Sequence, residues 1–193
     1  MAITQQPTLL HWNYFLALEA DLGTLSRFVE FTEDNFATYS IEQVHLFLTT
    51  ASEVDVVMKQ YCAVLAPAES AENIEQYRGI IHPLRPGLSL ATASLPRFGV
   101  TLTPWSNWQQ NRTPAWWADH NRVKHQRSEY FASAHLKNVL NAVGALFLLL
   151  IMYYREQADL RRLVPAPALF SSTPDLVKRE HALDGETGLY FQR

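Results

Sequence analysis

From Ser40 to Leu65 the chain runs without a Gly or a Pro. Val44, Phe47, Leu48, Ala51, Val54, Asp55, Met58, Cys62 and Leu65 recur near one stripe, as a helix of 3.6 residues per turn requires for one buried face. Ser40 can accept a hydrogen bond from the backbone of Gln43, whose side chain can reach back, the pattern of a capping box. Pro67 closes the run, since proline cannot continue a helix. A helix this long with an apolar stripe needs other apolar elements against it, so the chain is expected to fold around it.

The other segments are also mostly helical in pattern. Trp12, Phe15, Leu16, Glu19 and Leu22 stand at helical intervals and predict a first helix over residues 9–31, with Gly23 as a weak point. Thr32 to Tyr39 is polar and reads as a connection. A shorter helix over 71–82 carries Ile74, Tyr77, Ile80 and Ile81, stopped by Pro83 and Pro86-Gly87. Residues around 88–104 change character and suggest a small extended or β-hairpin insertion, closed by the loop from Pro104 to Trp108. Thr113-Pro114 predicts a helix start, a capping hydroxyl followed by Pro at the first helical position, running to about Ser128. A long Ala- and Leu-rich helix is expected over roughly 129–158. The expected fold class is therefore all-α, a helical bundle over 1–163 followed by a C-terminal arm or tail over 164–193.

Composition narrows the function classes. Net charge is −3, so the global basic field of a protein that coats duplex DNA is absent, and any RNA contact must be local. Cys62 is the single cysteine, which excludes an internal disulfide and a multi-cysteine metal site; its apolar surroundings read as buried helix. The longest apolar run, Ala142 to Tyr154, falls short of the ~20 residues a bilayer span needs, and reads as a core helix. The N-terminus has neither a basic region nor an apolar one of secretory type, so the expectation is a cytoplasmic protein with no membrane partner. Glu42-x-x-His45 is half of a carboxylate di-metal pattern whose second half is missing, and no metal or cofactor is expected.

The segment richest in chemistry is Trp116-Trp117-Ala118-Asp119-His120-Asn121-Arg122-Val123-Lys124-His125-Gln126-Arg127. On a helix, Trp117, Asn121, Lys124 and His125 share a face, flanked by Arg122 and Asp119. An imidazole titrates near neutrality and can pass protons. A neighbouring cation can hold a phosphate or stabilise developing negative charge. A metal-independent ribonuclease needs those parts: His125 would serve as base, Lys124 or Arg122 as phosphate clamp, and Asn121 would orient the imidazole, with Arg127 a further phosphate contact. The same face is also what a solvated amphipathic helix presents. In that structural alternative Glu53 and Asp55, with Lys59 nearby, hold the cations in a network that fixes helix register, and the protein is a non-enzymatic interaction or scaffold module. Trp105, Trp108, Trp116 and Trp117 would then be anchors at an oligomer seam or plugs in the core.

The run Trp116-Trp117 through Asn121-x-x-Lys124-His125-x-Arg127, following Pro104-Trp105 and preceding a long Ala/Leu helix, resembles helical-bundle proteins of the HEPN type over about residues 40–157. The resemblance extends to uncharacterised bacterial proteins with a W-x-x-x-N-x-V-K-H-x-R segment. It implies a dimeric, RNA-directed protein, either an endoribonuclease or a relative that only binds, with Ser52, Glu53, Asp55 and Lys59 on an early helix facing the motif helix. The chain departs from the HEPN ribonuclease pattern of Arg, four to six residues, then His: only two residues separate Arg122 from His125.

Overall fold

The computed structural model describes residues 8–172. The chain is mostly helical. α1 is Leu10–Leu25, α2 is Ile41–Leu65, α3 is Ile74–Leu84 and α4 is the single turn Gly87–Leu90. A hairpin follows, β1 (Ala93–Leu95) and β2 (Val100–Leu102), then α5 (Ala115–His125), α6 (Arg127–Tyr130), α7 (Leu136–Tyr153) and α8 (Arg155–Asp159). β3, Ser171–Ser172, completes an antiparallel sheet of order β2-β1-β3, with Ala93 opposite Leu102 on one side and Ser172 on the other.

α7 is the axis of the core. Val139 to Met152 is buried on nearly every side except Asn141, which suits a helix apolar all round and packed by α2, α1 and the sheet. It is long and apolar enough to pass for a membrane span, but most of its surface is covered by the rest of the fold. α2 supplies Phe47, Ala51, Val54, Val57 and Met58 to the same core. Gly144 is where the sheet comes closest. A Cβ there would lie 3.2 Å from Ala93 Cβ and 3.3 Å from Leu102 Cδ1.

Several boundaries differ from the sequence reading, for identifiable reasons. α1 ends at Leu25; residues 26–31 turn so that Phe31 is buried against Phe98 of the hairpin, ring centroids 4.6 Å apart. Gly23 does not interrupt α1. The capping box is half made: Ser40 Oγ accepts from the Gln43 amide at 3.2 Å, but the Gln43 side chain points into the core instead of back to Ser40. α3 keeps Pro83 within its last turn. Pro114 is the cap residue of α5, and the Thr113 hydroxyl donates to Glu75 of α3 in place of capping. α5 stops at His125, and the expected helix over 129–158 is broken into a short turn, a 3-10 turn over Phe131–Ser133 and α7, which His135 Nδ1 caps by accepting from the Asn138 amide at 3.3 Å. The insertion is a true hairpin only from 93 to 102, turned by a 3-10 segment and by Gly99 at φ +66°, a conformation that favours glycine.

The described part of the C-terminal arm, 164–172, packs back on the bundle. Leu169 and Phe170 are buried, and Trp12 Nε1 donates to the Pro165 carbonyl at 3.1 Å. The remainder of the expected arm, 173–193, lies outside the described residues.

Candidate functional site

α5 is held in place by tryptophan. Trp105 lies tilted against Trp108 (4.8 Å) and edge-on to Trp116 (5.5 Å), Trp116 meets Trp117 (5.5 Å), and Trp117 meets His120 (5.5 Å). Two of the indole edges are tied down: Trp116 Nε1 donates to the Pro104 carbonyl at 2.9 Å, and Trp105 Nε1 to the Ala145 carbonyl at 3.2 Å, whereas Trp108 Nε1 is buried with no hydrogen-bond partner among the described residues. All four tryptophans are buried, so here they plug the core and fix the angle of α5.

That placement opens a groove of about 380 Å³ between α2, the start of α3 and α5. α2 contributes Leu48, Ser52 and Asp55. The chain entering α3 contributes Glu72, Asn73 and Ile74, and α5 contributes Trp117, His120, Asn121 and Lys124. Asn121 and Lys124 thus share one polar recess, as their spacing suggests. His125 does not line it; it stands exposed at the end of α5 with Arg122, beside exposed Arg127. Lys124 and His125 are consecutive on the helix, which turns the second by about 100° from the first. Arg122 pairs with Asp119 at 3.1 Å and lies over the Tyr130 ring.

The expected supporting carboxylates divide. Asp55 faces the groove and accepts from the Tyr77 hydroxyl at 3.1 Å; burial and that carboxylate push the Tyr77 phenol up. Glu53 turns the other way, to α1, where its Oε1 lies 2.6 Å from His11 Nδ1. His11 Nε2 lies 2.9 Å from Gln60 Oε1, which also accepts from Tyr153 at 3.1 Å. Lys59 pairs with Glu72 at 3.7 Å, on the exposed rim. Neither Glu53 nor Lys59 therefore supports the Asn–Lys–His segment in the way the sequence suggests.

The residue that sequence reasoning passed over is His120. It is 5 % exposed, edge-on to Phe47 at 5.9 Å, and its Nδ1 is shut away with no hydrogen-bond partner among the described residues. His120 also lines the groove. Burial first, then the charges of Lys124 and His125, push its pKa down to about 4, so the ring is neutral at physiological pH. The signal was in the spacing: Trp116, His120 and Val123 follow each other at four and three residues, the buried face of an amphipathic helix.

Among the described residues no group of three or more His, Cys, Asp or Glu could hold a metal ion. Cys62 is buried, and burial pushes its thiol up to about 11, which keeps it protonated and unreactive. The fold and site define a class no narrower than a mostly α-helical bundle with a small antiparallel sheet and a polar groove on its motif helix. Compared with known protein families, curated proteins and solved structures, the chain matches none.

Proposed function

We propose that this chain is an RNA-directed, HEPN-like protein that binds single-stranded RNA as a homodimer and does not cleave it. The observation that carries the reading is the exposed cationic end of α5, where Arg122, Lys124, His125 and Arg127 all lie on the surface within six residues, on a chain of net charge −3. Such a local cluster suits phosphate contacts, whose strength comes from counterion release. A second copy would double that charge across the seam.

Cleavage would need a base of suitable proton affinity beside the phosphate clamp. His120 is near Lys124, but an imidazole held to about 4 is a weak base at neutral pH. His125 stands outside the recess that holds Lys124 and Asn121. The proposal is tested by fluorescence anisotropy with a labelled single-stranded RNA, followed by gel analysis of the same RNA. Saturable binding with intact RNA is the expected result. Absence of binding at low salt overturns the reading, and cutting that His125→Ala abolishes restores the nuclease.

A second reading has its own observation. Phe28 is 78 % exposed beside a groove of about 240 Å³ formed by α1 and α2, as a non-enzymatic interaction module would present an apolar anchor.

A further inference from the structure

We propose that the groove between α2, α3 and α5 is a binding site for a small zwitterion of the α-amino-acid class. The groove carries two opposite charges that do not neutralise each other. Lys124 lies on the α5 wall and Asp55 on the α2 wall, yet no ion pair joins Lys124 to Asp55 or to any other described residue. Glu72, the other carboxylate on the rim, is already paired with Lys59. A plain anion would meet Asp55, and a plain cation would meet Lys124. A molecule with both charges satisfies the two walls together.

The rest of the lining agrees. His120, nine-tenths buried, is part of the groove wall. Asn121 and Ser52 add uncharged donors and acceptors. Leu48, Ile74 and the indole of Trp117 supply an apolar wall for a side chain. The volume, about 380 Å³, lies in the range of small-molecule sites, roughly 300–1,000 Å³. The carboxylate would sit at Lys124 and the ammonium at Asp55, with the side chain toward Trp117.

The test is isothermal titration of the full chain with each of the standard L-amino acids. The best binder is then compared with its N-acetyl and its carboxamide derivatives, each lacking one charge. Saturable binding is expected, weakened at least about tenfold by removal of either charge. Lys124→Met should abolish the preference for the acid over the amide, and Asp55→Asn the preference for the free amine over the acetylated one. Lys124 is exposed, so its variant tests the site even if Asp55→Asn, which takes the charge from the acceptor of the Tyr77 hydroxyl, fails to fold. The proposal is overturned if no amino acid binds, or if both singly charged derivatives bind as well as the parent.

Discussion

Glu19 on α1 receives the amide of Leu169, 150 positions further along the chain, on Oε1 at 2.8 Å. The same carboxylate accepts from Ala168 at 2.8 Å and Phe170 at 3.0 Å, and it is 3 % exposed. Three backbone donors converge on a group that only accepts, which is how a buried charge is tolerated. The returning segment is thereby fastened to the bundle and β3 is delivered to the sheet. Glu19→Gln would set an NH2 group against those donors, and should lower stability by on the order of 2–3 kcal/mol, since hydrogen bonds to charged groups are the strong ones. Urea denaturation followed by circular dichroism measures it; an unchanged midpoint would show that the segment is not fastened this way.

His120 makes stability depend on pH. Its folded pKa of about 4 lies below the ordinary 6.5, so between those values the unfolded chain takes up a proton that the folded chain refuses. Stability from this residue is complete above about pH 6.5 and drains away as pH falls toward about 4, by about 3 kcal/mol in all. Burial also lowers His135, which adds a loss of the same sign. Replacing His120 with Phe, beside Phe47 and Trp117, should flatten this limb. Denaturation midpoints of the two proteins near neutrality and near pH 4.5 decide it, and equal acid losses would contradict the assignment.

Gln43 is 1 % exposed, and neither polar atom of its side chain has a hydrogen-bond partner among the described residues. Removing two unsatisfied buried groups while keeping the shape should stabilise the protein, so Gln43→Met is expected to gain about 1–3 kcal/mol. A Tm below that of the parent would mean that the amide has a use the fold does not reveal.

How far the sequence discloses all this can be read from the same residues. Helical periodicity finds α2 whole, including the Ser40 cap, because local rules decide it. It overruns at α1 and before α7, where the chain is turned by partners distant in sequence: Phe98 against Phe31, and Thr38, whose carbonyl accepts the Leu136 amide at 2.9 Å. β3 is two residues long and directly follows the segment that Glu19 holds, so no strand pattern could show it. At the site, spacing groups Asn121 with Lys124 correctly but not His125, since the recess is walled by α2 and α3. It leaves His120 unnoticed, because a histidine on the apolar face of a helix looks like any other core position.

Gly144 marks where α7 and the sheet touch. Alanine is the better helix former by about 1 kcal/mol, yet its methyl would press on Ala93 and Leu102 at 3.2 and 3.3 Å. Gly144→Ala should therefore gain nothing, and Gly144→Val should lose about 1–3 kcal/mol through overpacking. Thermal denaturation of both variants measures this; a clear gain from valine would place the sheet further from the helix.

If the cationic end of α5 contacts RNA phosphates, removing its charges must weaken RNA binding and its dependence on salt. Affinity of the full chain and of the Arg122→Ala, Lys124→Ala, Arg127→Ala triple variant for one labelled single-stranded RNA, measured across a salt series, tests it most directly. The variant should bind more weakly, with a slope of log K against log salt shallower by about 2, as loss of three phosphate contacts to a single strand requires. Parent and variant lines that superimpose, or a parent that binds no RNA, would contradict it.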